Sequence, residues 1–145
     1  REGVWEGAFR TFDAQGDLTE SMTVRREHTA ISSTEQDVVE TDRLAGGLER
    51  RWRGRIVVNE DGRLACRIWG SDGSVKVMSG VREGRAIRWS RAAPGADPSE
   101  SFREEVIQTT TGDLYTIDGA ALMGAEQPGM TLFTGRYRRV ASPNP

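Results

Sequence analysis

The stretch "GVWEGAFRTFDAQGDLTES", residues 3–21, decides how the rest of the chain is read. Side chains alternate across a strand, so Trp5, Gly7, Phe9 and Thr11 share one face, and Val4, Glu6, Ala8, Arg10 and Phe12 the other. "DAQGD" (13–17) then supplies a polar glycine turn, and a second alternating run begins at 18. An indole this early in a chain must be covered by residues much later in sequence. A strand–turn–strand opening makes that cover the far edge of the same sheet.

The pattern repeats along the chain. "AGG" (45–47), "NEDG" (59–62), "SDGS" (71–74), "REG" (82–84) and "TTGD" (110–113) read as hairpin turns. "AISSTEQ" (30–36) is a further loop, and "APGADPS" (93–99) and "GAALMGAEQPG" (119–129) are looser connections. Between them lie runs at 3–12, 18–29, 37–44, 48–58, 63–70, 75–81, 85–92, 101–109, 114–118 and 130–140. None is long enough for a helical crossover between parallel strands. The segment "DPSESFREEVI" (97–107) also reads as a helix start, with Asp97 as cap and Pro98 behind it, but Phe102, Glu104, Val106 and Gln108 alternate, and strand is the reading adopted. The expected fold is all-β: one antiparallel up-and-down barrel of about 8–10 strands. It occupies residues 1–140 as a single domain, with 141–145 as a disordered tail. Closure removes the free edges that an open sheet would expose.

Composition narrows the function classes. The 145 residues are 29% charged and 36% hydrophobic, a folded, water-compatible balance. A net charge of −2 argues against nucleic acid, or an anionic membrane, as the main partner. "LERRWRGR" (48–55) interleaves Arg with Trp52, but alternation puts Arg51, Arg53 and Arg55 opposite the indole, on a solvated face. One Cys (Cys66) excludes an intrachain disulfide, and with a single His (His28) it cannot build a Cys/His zinc site; no metal site is expected. No apolar run spans a membrane and no secretory leader is visible, so membrane insertion is not expected and the cytoplasm is the expected location. The sequence starts without Met, which leaves room for an upstream segment.

The apolar residues on inner faces define a candidate lining: Met22, Val24, Trp52, Met78, Trp89, Phe102, Tyr115 and Met130. Trp69 joins them if its strand turns Arg67 inward, but Cys66 and Ile68 compete for that face. Glu104, Arg67 and Glu40 are charges on candidate inner faces, where an Arg–Glu pair could orient a ligand or shift a carboxyl pKa. His28, after "RRE", is a candidate acid or base, or simply polar surface. At the barrel end the last strand ends in Arg136, Arg138 and Arg139; an arginine laid across Trp5 gains a cation–π contact and can bond free carbonyls, and Arg136 and Arg138 are the expected plug with Trp5.

The "G-x-W" opening, the meander and the arginine near the end of the last strand resemble the calycin superfamily of lipocalins and fatty-acid-binding proteins. The likeness is closest, over residues 3–21, to bacterial lipocalin-like domains. It implies a barrel with an internal apolar cavity. Two departures stand out: "DAQGD" is too short for the helical lid of fatty-acid-binding proteins, and the disulfide usual in secreted lipocalins is impossible. No nucleophile elbow, P-loop or dinucleotide fingerprint is present. Three readings follow: a carrier for a small hydrophobic molecule, acting as monomer or homodimer; a cofactor-free cyclase or isomerase that moulds a polyketide-like precursor, as some small calycin-like barrels do; and a chromophore-handling role like that of lipocalin-like lyases.

Overall fold

The computed structural model describes residues 2–91, 102–123 and 129–140; of Arg91, residues 102–111 and residues 122–123 it describes the backbone only. Among the described residues there are ten strands: β1 (Gly3–Phe12), β2 (Leu18–Ala30), β3 (Glu35–Leu44), β4 (Glu49–Val58), β5 (Leu64–Gly70), β6 (Val75–Glu83), β7 (Ala86–Arg91), β8 (Phe102–Thr111), β9 (Leu114–Met123) and β10 (Gly129–Val140). Each pairs antiparallel with its sequence neighbours, and β1 pairs with β10, so the sheet is a closed barrel. The expected tail at 141–145 and the connection at 93–99 lie outside the described residues. β9 runs on to Met123, where the sequence reading ended a strand at 118.

The turns behave as their residues dictate. Gly16, Gly46, Gly47, Gly62, Gly73 and Gly84 all have positive φ, the conformation that L side chains resist. Asp13 accepts bonds from the Gln15 and Asp17 amides through Oδ1, at 3.0 and 2.8 Å, which pins the first hairpin.

Closure depends on close approach at the seam. Gly7 stands opposite Tyr137, and a Cβ there would lie 1.8 Å from the Arg136 carbonyl oxygen. Only a residue without a side chain lets β1 reach β10 in this register. Beside it, Trp5, 1% exposed, meets the Tyr115 ring edge-on at 4.9 Å, and Tyr115 stacks on Tyr137 at 4.7 Å. Such aromatic pairs add ~1 kcal/mol each beyond their buried area. Arg139 covers the indole at 5.1 Å, and its Nη2 donates to the Glu2 carbonyl at 2.6 Å. The plug is therefore Trp5 with Arg139. Arg136 and Arg138 fall on the other parity of β10 and are exposed on the outside, so neither has the plugging role the sequence suggested.

Gly7→Ala is expected to cost ~2–3 kcal/mol or to prevent folding, because the added methyl must push backbone against backbone. Gly54→Ala, whose Cβ would meet its neighbours at 3.5 Å or more, is expected to change stability by less than about 1 kcal/mol. Urea unfolding of the two variants checks this.

Candidate functional site

The barrel encloses a cavity of about 290 Å³. That is near the lower end of the ~300–1,000 Å³ usual for small-molecule sites. The β1–β2, β3–β4 and β5–β6 turns gather at one end, opposite the Trp5 plug, and the cavity runs from the middle of the barrel toward them.

One side of the lining is apolar. Met22, Val24, Cys66, Met78 and Trp89 are buried and line the cavity with Ile56 and Ile68. Trp89 has its place because Gly80, its cross-strand partner, has no side chain: a Cβ there would sit 2.7 Å from the indole. Trp52 is half-buried in the wall, with the Lys76 ammonium 4.3 Å from its ring centre.

The other side is charged, a polarity that the apolar residues did not announce. Arg26 on β2 stands opposite Glu40 on β3, and the two form an ion pair. Arg26 also lies 4.8 Å from the Tyr137 ring centre. Arg50 Nη2 donates to Glu20 at 3.3 Å and reaches Met22 Sδ at 3.7 Å. Asp42, only 5% exposed, accepts a bond from Trp52 Nε1 at 2.9 Å through Oδ2. Its Oδ1 is buried and, as an ionised oxygen, has no partner among the described residues. A proton on Asp42 changes that, since it makes a hydrogen bond with Glu40, two residues back on the same face. Burial first, and the nearby Glu40 charge second, push the Asp42 pKa up to about 6.

The sequence-derived candidates separate accordingly. Met22, Val24, Trp52, Met78 and Trp89 come together in the cavity wall, as does His28, which is buried with Nδ1 3.2 Å from Gln36 Oε1. Tyr115 is fully buried, but against Trp5 and Tyr137, so it belongs to the plug rather than the lining. Trp69 and Met130 are 42% and 44% exposed on the outer surface, and Arg67 is exposed with them. Leu64, Cys66 and Ile68 take the inner parity of β5, which turns Arg67 and Trp69 out. Phe133 and Tyr137 take that of β10, which turns Met130 out. Phe102 and Glu104 lie in β8, where Glu104 pairs with Ser90 and Ala120 along the backbone; their side chains are outside the described residues. Arg26, Asp42 and Arg50 were missed, although Arg26 shares the parity of Met22 and Val24, and Arg50 that of Trp52.

No family model matches the chain, and no curated protein matches it. Solved structures do, in fold. The S-type phycobiliprotein lyase CPES from Guillardia theta superposes with a TM-score of 0.74 at 12% identity, over 97% of this chain and 89% of that one. Rv2717c from M. tuberculosis gives 0.68 at 15% identity, over 96% and 92%. A redesigned β barrel, mFAP0, bound to DFHBI, gives 0.50 at 12% identity, over 95% and 97%. The shared feature is a lipocalin-like antiparallel barrel. Among the described residues no helix is long and apolar enough to cross a membrane, and no three His, Cys, Asp or Glu side chains cluster to hold a metal.

The Asp42 carboxyl sets a pH dependence. Its folded pKa lies above the ordinary aspartate value of about 4, so the folded state binds more protons than the unfolded one between about pH 4 and 6. The stability this contributes is complete below pH 4 and is lost as pH rises through about 6. Asp42→Asn, which can still accept from Trp52, is expected to remove ~2 kcal/mol of that fall. Stability curves of both proteins from pH 4 to 8 test this; parallel curves would contradict it.

Proposed function

We propose that the barrel encloses a small, largely apolar metabolite, with the ligand's body against Met22, Met78, Trp52 and Trp89 and a polar group turned toward Arg26, Glu40 and Asp42. The observation that carries this reading is the enclosed cavity itself, apolar on one wall and charged on the other. Burying ion pairs costs desolvation that packed hydrophobic residues would avoid, so the charged wall is better explained by recognition than by stability. Two barrels of similar fold support the reading by analogy: one is a phycobiliprotein lyase and another is bound to DFHBI. Placement in the calycin superfamily belongs to the same proposal, supported by the "G-x-W" start and the arginine laid over its indole.

A second reading makes the cavity a mould, and the protein a cofactor-free cyclase or isomerase acting on a polyketide-like precursor. Asp42 favours it. A carboxyl that keeps its proton up to about pH 6, beside apolar walls, is suited to general-acid work. Substrate folding would supply the remaining rate through orientation.

Titration with the uncharged fluorescent dye Nile red tests the first reading. Saturable binding with quenching of Trp fluorescence is expected. Trp52→Ala is expected to weaken it about tenfold, the loss of one buried aromatic contact, while Trp69→Ala leaves it unchanged. Equal effects of the two substitutions, or no binding at all, would contradict the assignment. Incubation with a linear polyene then tests catalysis: turnover that survives in Asp42→Asn would remove the acid role.

A further inference from the structure

The outward face of β4–β6 has a composition that neither the cavity nor the plug requires. Its outward positions are Glu49, Arg51, Arg53, Arg55 and Val57 on β4, Ala65, Arg67 and Trp69 on β5, and Val75, Val77, Ser79, Val81 and Glu83 on β6. Four arginines stand there against two carboxylates, Glu49 and Glu83, which lie at the ends of their strands and pair with Arg43 and Arg88, although the whole chain carries a net charge of −2. The other acidic side chains of this region stand in the turns at the rims, as Glu60, Asp61 and Asp72. Register makes the face continuous. Arg53 stands opposite Trp69 and Trp69 opposite Val75; Arg55 stands opposite Arg67 and Arg67 opposite Val77.

Two features of this face are unfavourable in water. Arg55 and Arg67 are like charges at directly paired positions, an arrangement that destabilises a sheet. Asp37 neutralises Arg55 with bonds of 2.7 and 3.0 Å from beside it on β3, but Arg51 and Arg67 form no ion pair with a carboxylate among the described residues. Beside these arginines, Val75, Val77 and Val81 are 51%, 55% and 46% exposed, next to the exposed indole of Trp69. An isolated exposed valine is unremarked in any protein, but three with a tryptophan on neighbouring strands form a patch.

We propose that this face docks peripherally on an anionic phospholipid surface. Phosphate and carboxylate headgroups satisfy the arginines electrostatically. Trp69 and the valines enter the boundary between headgroups and acyl chains, where an indole is favoured because it is apolar with one donor. An acidic protein would meet the charge but would leave the valines to be matched separately; a lipid leaflet supplies both layers at once. The proposal does not depend on the ligand reading, since none of Arg51, Arg67, Trp69, Val75 or Val77 lines the cavity.

Co-flotation with phosphatidylcholine vesicles, with and without about one-third phosphatidylserine, tests it. Binding is expected only to the anionic vesicles, and is expected to fall as salt screens the headgroups. The double variant Arg51→Glu/Arg67→Glu is expected to weaken binding tenfold or more by the same electrostatics, and Trp69→Ser/Val77→Ser to weaken it separately, both with unchanged circular dichroism and thermal unfolding. Absence of binding to anionic vesicles overturns the proposal. So does binding that both double variants retain, or capture by polyglutamate beads without vesicle binding, which would assign the face to an acidic protein. Loss of Nile red binding with vesicle binding intact would sink the cavity reading and leave this one standing.

Discussion

A meander of ten strands ends in two free edges, and the seam between β1 and β10 is what turns it into a container. That seam runs through nine paired positions from Val4 to Phe12. It exists in this register because Gly7 presents no side chain to the Arg136 carbonyl. Trp5 fills the space that closure creates and is held by Tyr115, Tyr137 and Arg139. Trp5 and its partners thereby fill the seam side of that end. The cavity runs toward the other end, where the β1–β2, β3–β4 and β5–β6 turns stand. An open sheet with the same strands would have no lumen and would expose two templates for aggregation.

The electrostatics of that lumen are organised in neighbouring pairs. Arg26 with Glu40 joins the adjacent strands β2 and β3, and Arg50 on β4 reaches past β3 to Glu20 on β2. Each pair limits the desolvation cost of its own members. Asp42 has no such cation of its own. It has the Trp52 N–H on one oxygen and the Glu40 carboxylate near the other, so it holds a proton far more readily than an exposed aspartate. The result is a site whose charge changes by one near pH 6 while its shape stays fixed by packing.

Much of the fold was legible because turn chemistry and alternation are local. Glycine beside Asp or Asn marks hairpins, and the ten strand runs follow from the gaps between them. The inner positions of Met22, Val24, Met78 and Trp89 follow from period two. Phase was the weak point, since a slip of one residue exchanges the faces of a strand. On β5 the sequence left Trp69 and Arg67 competing with Cys66 and Ile68 for the inner face, and an inward Arg67 would carry a desolvation cost. Leu64, Cys66 and Ile68 bury instead at no electrostatic cost. Met130 likewise belongs to the parity opposite Phe133 and Tyr137. Arg26 and Asp42 were harder to find, because a buried charge is legible only with its partner, and pairing across β2 and β3 depends on a register that residue patterns do not supply. Their parity with neighbouring apolar residues was the available signal.

Native-state hydrogen exchange across β1 and β10 tests closure most directly. If the seam is the constraint described, the ladder amides from Trp5 to Thr11 and from Phe133 to Arg139 exchange only through global unfolding, with protection equal to that of the central strands β4 and β5. Rapid exchange along β1 and β10, with β4 and β5 still protected, would show a sheet with free edges and would contradict the barrel together with the cavity inside it.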